Sequence, residues 1–202
     1  MKSILFKTEM VDAILRKGKR QTRRLMNPQP TDHNSSLQLP MPLGDYAKEL
    51  NKMSKKGYKK IVTAGHYAGQ MIPAPKYKVG DLVYIKETFA YLDNCGDDSG
   101  YIYKASENGK AWSETEEWKW KPSLFMPQEA ARIFLEITKV RFEPLCMITE
   151  SDAVLEGVGS VKEYAELWDR IAKEEGIKFL DNPAVFVYDF DLYEVKYNDY
   201  GV

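Results

Sequence analysis

Apolar residues recur along this chain at two periods. Met10, Val11, Ile14 and Leu15 form one stripe at helical spacing, which predicts a helix with Thr8 as N-cap and Gly18 as the residue just past its end. Ser3 to Lys7 reads as a short strand before it. From Leu82 to about Tyr91, Val83, Ile85 and Phe89 alternate with Tyr84, Lys86 and Thr88, a strand pattern, and Tyr101–Lys104 reads as its partner across a polar loop. Ile133 to Phe142 alternates again and slips at Lys139, the mark of a bulge, and Pro144 ends it. Thr149 with acids at Glu150 and Asp152 opens a short helix that runs to Glu156 and closes on Gly157. A second helix follows from Ser160 to about Glu175, with Tyr164, Leu167, Trp168 and Ile171 on one face. Ala184 to Val195 is an apolar strand before a frayed end. Strands divided by short helices, without regular βαβ alternation, predict an α+β class with a mixed or antiparallel, partly closed sheet.

Two stretches interrupt these patterns. From about residue 26 to 78 the chain carries Pro28, Pro30, Pro40, Pro42 and Gly44 and little periodicity, so an irregular insertion is expected, with one short helix over Asp45–Lys52. Within it, Lys52, Lys55, Lys56, Lys59 and Lys60 surround Tyr58, which suits either a solvated loop or a single-stranded nucleic acid. Trp112, Trp118 and Trp120 lie close together near a Glu-rich run, as core or as a base-stacking wall.

The chain's 202 residues suffice for a single domain over 1–202. No apolar run approaches the roughly 18 residues of a membrane span, and the N-terminal apolar run is too short for a secretory signal, so a cytoplasmic protein without membrane contact is expected. Cys95 sits in a polar loop and Cys146 among apolar neighbours; one reads as exposed and one as buried, which argues against a disulfide. With His33 and His66 as the only histidines, neither a Cys/His nucleophile nor structural zinc is suggested, and no phosphate loop or dinucleotide fingerprint is present. No cofactor or metal is expected.

Charge changes the picture in one place. Lys+Arg total 29 against 30 Asp+Glu, a net charge of −1, yet Arg16 to Arg24 holds six basic residues and no acid. Such a concentration fits either a solvated helix end that complements the helix dipole or a phosphate-binding segment. An extended chain after Gly18 would point Lys19 and Arg23 one way and Arg20, Thr22 and Arg24 the other; a turn would gather Lys19 and Thr22.

The segment Ile14-Leu15-(x)2-Gly18-Lys19-(x)2-Thr22-(x)-Arg24 resembles the opening signature of ASCH domains, the RNA-associated branch of the PUA-like superfamily. Gly80–Thr88 is similar to the family's Gly-Asp strand entry. Met126-Pro127 with Ala131-Arg132-Ile133, and Ile148-Thr149-Glu150 through Glu156-Gly157, resemble longer phage and prophage members, as does Asn182–Val187 as a closing strand. The resemblance implies a PUA-like pseudo-barrel and a partner that is RNA or a nucleoside. It also departs from the pattern: Gln128 stands where phage relatives carry Arg, and Arg20 where relatives often carry Thr.

Small bacterial ASCH enzymes are amidohydrolases that remove the acetyl group of N4-acetylcytidine. The resemblance carries their catalytic residues onto Lys19, Thr22 and Glu156, with Arg20, Arg23, Arg24 and Arg132 as phosphate or nucleic-acid contacts. In such a site Thr22 would attack the acyl carbon, or hold the water that does, and Lys19 would be the base if neutral. Lowering an ordinary lysine from ~10.4 to ~7.5 requires roughly 4 kcal/mol against the charged form. A close Glu156 would oppose that and make Lys19 an electrostatic anchor. Three readings follow: recognition of RNA or a modified nucleoside, hydrolysis of an acylated cytidine nucleoside, or a phage-encoded protein-interaction module. A buried Lys–Glu–Thr network with a purely architectural role is also open.

Overall fold

The structure, a computed structural model, describes residues 1–32, 58–61, 70–92, 100–106, 119–173 and 176–196. The main sheet takes five strands: β1 (Lys2–Leu5), β2 (Gln21–Leu25), β6 (Leu82–Lys86), β9 (Ile133–Pro144) and β10 (Ala184–Val195), in the order β1-β6-β9-β10-β2. β1 runs parallel to β6, whereas β6–β9, β9–β10 and β10–β2 are antiparallel. The expected mixed α+β architecture is therefore present. The sheet is not a closed barrel, because β1 and β2 are its two edges.

Among the described residues three helices cover the sheet: α1 (Thr8–Arg16), α2 (Glu150–Leu155) and α3 (Val161–Ile171). The α2 entry is the expected one. Thr149 accepts from the Asp152 N–H while Asp152 accepts from the Thr149 N–H, a reciprocal cap. Ser160 caps α3 by accepting from the Glu163 N–H. At α1 the cap position is Lys7, with no side-chain bond, and Thr8 is already helical.

β10 explains why residues 184–190 read as nearly continuous apolar sequence. One of its faces, Phe186, Tyr188 and Phe190, packs with Ile4, Val11, Ile14, Val83, Ile85 and Leu135. The other, Val185 and Val187, packs beneath Tyr164, Leu167 and Trp168 of α3. Both faces are buried, so the polar half of the alternation is missing. The slip at Lys139 is a register shift: Asp189 pairs with Lys139 and Phe190 with Ile137, so Thr138 is the extra residue.

Three further sequence expectations change. The strand read over Leu82–Tyr91 breaks at Glu87, and Phe89–Leu92 (β7) pairs with Gly100–Tyr103 (β8) as a separate ribbon. Burial of Glu87 against Arg132 sits at that break. Within 26–78, Thr31–Asp32 (β3), Tyr58–Ile61 (β4) and Gln70–Pro73 (β5) form a second sheet in the order β3-β5-β4, so the region is not wholly irregular. Cys146, expected inside, is exposed; the 3₁₀ turn Leu145–Met147 buries Leu145 and turns Cys146 outward. The readings on Asp45–Lys52, Cys95, His33, His66, Trp112 and Trp118 lie outside the described residues. Among the described residues no helix is long and apolar enough to cross a membrane.

Candidate functional site

The basic segment leaves α1 through Gly18, whose φ of +71° favours glycine. Lys19 N–H donates to the Ala13 carbonyl and Arg20 N–H to the Leu155 carbonyl, so the segment is stitched to the ends of both α1 and α2. The α2 end comes this close because residue 157 is glycine. At its φ of +85°, a Cβ would stand 2.8 Å from Ala13 Cβ and 3.2 Å from Lys19 Cβ.

Lys19 is 1% exposed and Glu156 is 2% exposed, although they are 137 residues apart in sequence. Lys19 Nζ donates to Glu156 Oε2 at 2.5 Å, to the Gln21 carbonyl at 2.7 Å and to the Glu156 carbonyl at 2.9 Å. Three acceptors use the three hydrogens of an ammonium. Burial pulls the Lys19 pKa below that of an ordinary lysine, against the pull of Glu156 in the other direction. Arg23 donates to the other Glu156 oxygen at 3.2 Å, so both oxygens of that side chain are engaged by buried cations. With the proton on either partner, Nζ has no free lone pair with which to take one from Thr22.

Arg23 is the hub behind this pair. Its guanidinium donates to Gln21 Oε1 at 2.5 Å and Glu143 at 2.8 Å, pairs with Asp152 at 3.2 Å, and lies 5.7 Å from the Tyr164 ring centroid. Arg141 joins Glu143, Asp152 and Asp189 on the outer side. Burial raises the Asp152 carboxyl, but the Thr149 N–H, side-chain hydrogen bonds and Arg23 outweigh it and hold the pKa at about 2. This network neutralises Lys19 and Arg23 internally.

Lys19, Thr22, Arg23, Arg24 and Glu156 nevertheless line one cavity of about 330 Å³, partly open and walled by Phe6, Tyr164 and Trp168. Arg24 differs from its neighbours: it donates to the Leu5 carbonyl at 2.6 Å and lies 4.9 Å from the Phe6 ring, with no ion pair among the described residues, and the Glu156 charge acts on it only from a longer distance. Burial lowers its pKa, a measure of how poorly that cation is solvated. Arg23 Nε, Arg24 Nε and Trp168 Nε1 are buried donors with no acceptor among the described residues. Thr22 Oγ1 makes no hydrogen bond to a described residue.

The structure thus brings Lys19, Thr22, Glu156, Arg23 and Arg24 together and separates two residues from them. Arg20 donates to the Ile14 and Lys19 carbonyls and caps the end of α1, the architectural reading of the basic run. Arg132 is 2% exposed, makes a two-pronged bond to Glu87 at 2.8 and 3.0 Å, lies 4.2 Å from the Tyr103 ring, and does not line this cavity. Sequence reasoning missed Glu143 and Asp152 as partners of Arg23, and Arg141 as a second cation on the same two carboxylates, since no spacing links β9 and α2 to β2. Trp168 and Tyr164 appeared as a core stripe, which they are, while one side of each faces the cavity. Among the described residues no group of three or more His, Cys, Asp or Glu is placed to hold a metal ion.

No family model and no curated protein matches the chain. Solved structures similar to it include the following two. Protein EF3133 from Enterococcus faecalis V583, under the family model DUF984, has a TM-score of 0.42 at 13% identity, over 96% of this chain and 78% of that one. The ASCH domain from Lactobacillus crispatus JV V101 has a TM-score of 0.37 at 17% identity, over 92% of this chain and 70% of that one.

Proposed function

We propose that the cavity between α1, β2 and α3 recognises a nucleobase, as a free or modified nucleoside or within RNA. The carrying observation is that Arg23, Arg24 and Trp168, each with a buried N–H that has no acceptor among the described residues, line one cavity. A buried donor left unmade costs about 1–3 kcal/mol, so a ligand that supplies acceptors recovers that loss on binding. Base edges supply carbonyl and ring-nitrogen acceptors, and base faces stack on aromatic rings and guanidinium planes. The cavity offers both, and its volume of about 330 Å³ suits a small ligand, given a usual range of roughly 300–1,000 Å³. In this reading the Lys19–Glu156–Arg23 network holds the wall rigid, and Arg24 and Trp168 make the contacts.

The second reading, hydrolysis of an N4-acylated cytidine, is favoured by the presence of Lys19, Thr22 and Glu156 in one cavity. The occupied Nζ disfavours it, because activation of Thr22 would require the Lys19 contacts to break first.

Calorimetric titration with the four ribonucleosides and N4-acetylcytidine, beside a turnover assay on the latter, separates them. Recognition predicts saturable binding that Arg24→Ala and Trp168→Phe each weaken about five- to tenfold, that Thr22→Ala reduces less than about threefold, and no turnover. No binding at millimolar ligand, or binding indifferent to Arg24→Ala, overturns it. Turnover that Thr22→Ala and Lys19→Ala abolish in folded protein establishes the second reading instead.

A further inference from the structure

Arg24 lines two cavities. Beyond the one already described, a second cavity of about 260 Å³ lies between Arg24, Lys76, Tyr77, Phe186 and Tyr188, with Leu5, Arg24 and Leu25 common to both. Among its described lining residues are two cations and no carboxylate. Two other surface cavities differ in this respect, one bearing Glu129 and Glu194 and the other Glu9, Glu163 and Glu166.

The phenols of this second cavity are held by the backbone and bring no counter-charge to its two cations. The Tyr77 hydroxyl donates to the Ser3 carbonyl at 2.7 Å, and the Tyr188 hydroxyl accepts from the Lys76 N–H at 3.2 Å. Both phenols are thus engaged with backbone, and burial pushes both pKa values up, which keeps them neutral. Lys76 is exposed and its Nζ has a 3.4 Å contact to the Ser3 carbonyl and lies 5.1 Å from the Tyr77 ring centroid, with no carboxylate partner among the described residues. Arg24 brings a buried Nε without an acceptor among the described residues. Two cations with no described acid between them, one of them poorly solvated, favour an anion at that point.

We propose that the second cavity is a phosphate compartment continuous with the first, so that the ligand is a phosphorylated nucleoside unit whose phosphate lies between Arg24 and Lys76. The proposal rests on nucleobase recognition in the first cavity and specifies its substrate class. Phosphate contacts fix position and base contacts give selectivity; here Arg24 belongs to both walls and links the two. The phosphate has two sources, a mononucleotide or a phosphodiester in a strand.

The test is calorimetric titration of the full chain with each of the four ribonucleosides, their 3′- and 5′-monophosphates and the corresponding dinucleoside monophosphates, in wild type and Lys76→Ala. A phosphate-bearing probe is expected to bind about tenfold or more tightly than its nucleoside, with an advantage that shrinks as salt rises. In Lys76→Ala that ratio falls toward one. A dinucleoside monophosphate that matches or exceeds the mononucleotides assigns a strand; mononucleotides that bind better assign a free nucleotide. Nucleoside binding without a phosphate advantage, or an advantage untouched by Lys76→Ala, overturns this proposal and leaves base recognition standing. Absence of binding by every probe overturns both.

Discussion

Glu156→Gln isolates the network that holds the cavity wall. The substitution preserves volume and one acceptor oxygen but removes the charge that faces Lys19 Nζ at 2.5 Å and Arg23 at 3.2 Å. Arg23 keeps Glu143 and Asp152, so the group left uncompensated is Lys19. Breaking a buried pair costs about 3–5 kcal/mol, and the retained oxygen places this case near ~3 kcal/mol. For a chain of 202 residues, where about 1 kcal/mol moves Tm by roughly 2–4 °C, the expected fall is about 6–12 °C. Lys19→Met in the same background removes the orphaned cation, so the double variant should be more stable than the sum of the singles allows, with a coupling of about 1–3 kcal/mol. Burial already holds the Lys19 pKa low, and loss of Glu156 removes the main opposing influence. The unfolded state of Glu156→Gln therefore binds more protons than its folded state, so its stability rises with pH toward the ordinary lysine pKa of ~10.4. Urea and thermal unfolding of the four proteins, followed by circular dichroism between pH 6 and 10, measures both effects. Additivity within about 0.5 kcal/mol, or a Glu156→Gln cost under about 1 kcal/mol, would refute the reasoning.

Three further predictions follow from the same geometry. Gly157→Ala meets Ala13 Cβ at 2.8 Å and a φ of +85°; a loss of about 2–4 kcal/mol in chemical denaturation is expected, together with weaker ligand binding because Lys19 is displaced. Arg132→Met strands Glu87, whose pKa burial already raises against the pull of Arg132, so stability falls by about 3–5 kcal/mol; nucleoside affinity should change less than about twofold, and a larger change would return Arg132 to the site. The Asp152 carboxyl titrates at about 2 in the fold against ~3.9 unfolded. Its stabilisation is complete above the unfolded value and is lost as pH falls through about 2, so acid unfolding of Asp152→Asn should show a shallower slope between pH 4 and 2, and an unchanged slope would contradict the assignment.

The chain's regular elements were legible where one face is buried and the other wet. The stripe Met10-Val11-Ile14-Leu15, the α3 face from Tyr164 to Ile171 and the slip at Lys139 all survive in the structure. What failed depended on contacts between distant segments. Glu87 looked like an ordinary strand residue, yet its burial with Arg132 sits where the strand divides. β3, β4 and β5 are short and carry no clean alternation, so pairing alone defines them. The site was half visible. The basic run and the resemblance pointed to Lys19, Thr22 and Glu156, and these do share a cavity. That Arg20 is a helix cap, Arg23 an internal hub and Arg24 the cation without a described carboxylate follows from where β2 meets α2 and α3, which charge counting cannot reveal.

The proposed nucleobase recognition requires that the buried N–H groups of Arg24 and Trp168, which have no acceptor among the described residues, respond to a base-bearing ligand. The most direct measurement is the ¹H–¹⁵N spectrum of the Trp168 Nε1–H and Arg24 Nε–H groups, assigned with Trp168→Phe and Arg24→Lys, during titration with the ribonucleosides and their monophosphates. Saturable downfield movement of both signals, with one shared dissociation constant, is the predicted result. Signals that stay fixed at millimolar ligand, or move only in step with ionic strength, would contradict the account.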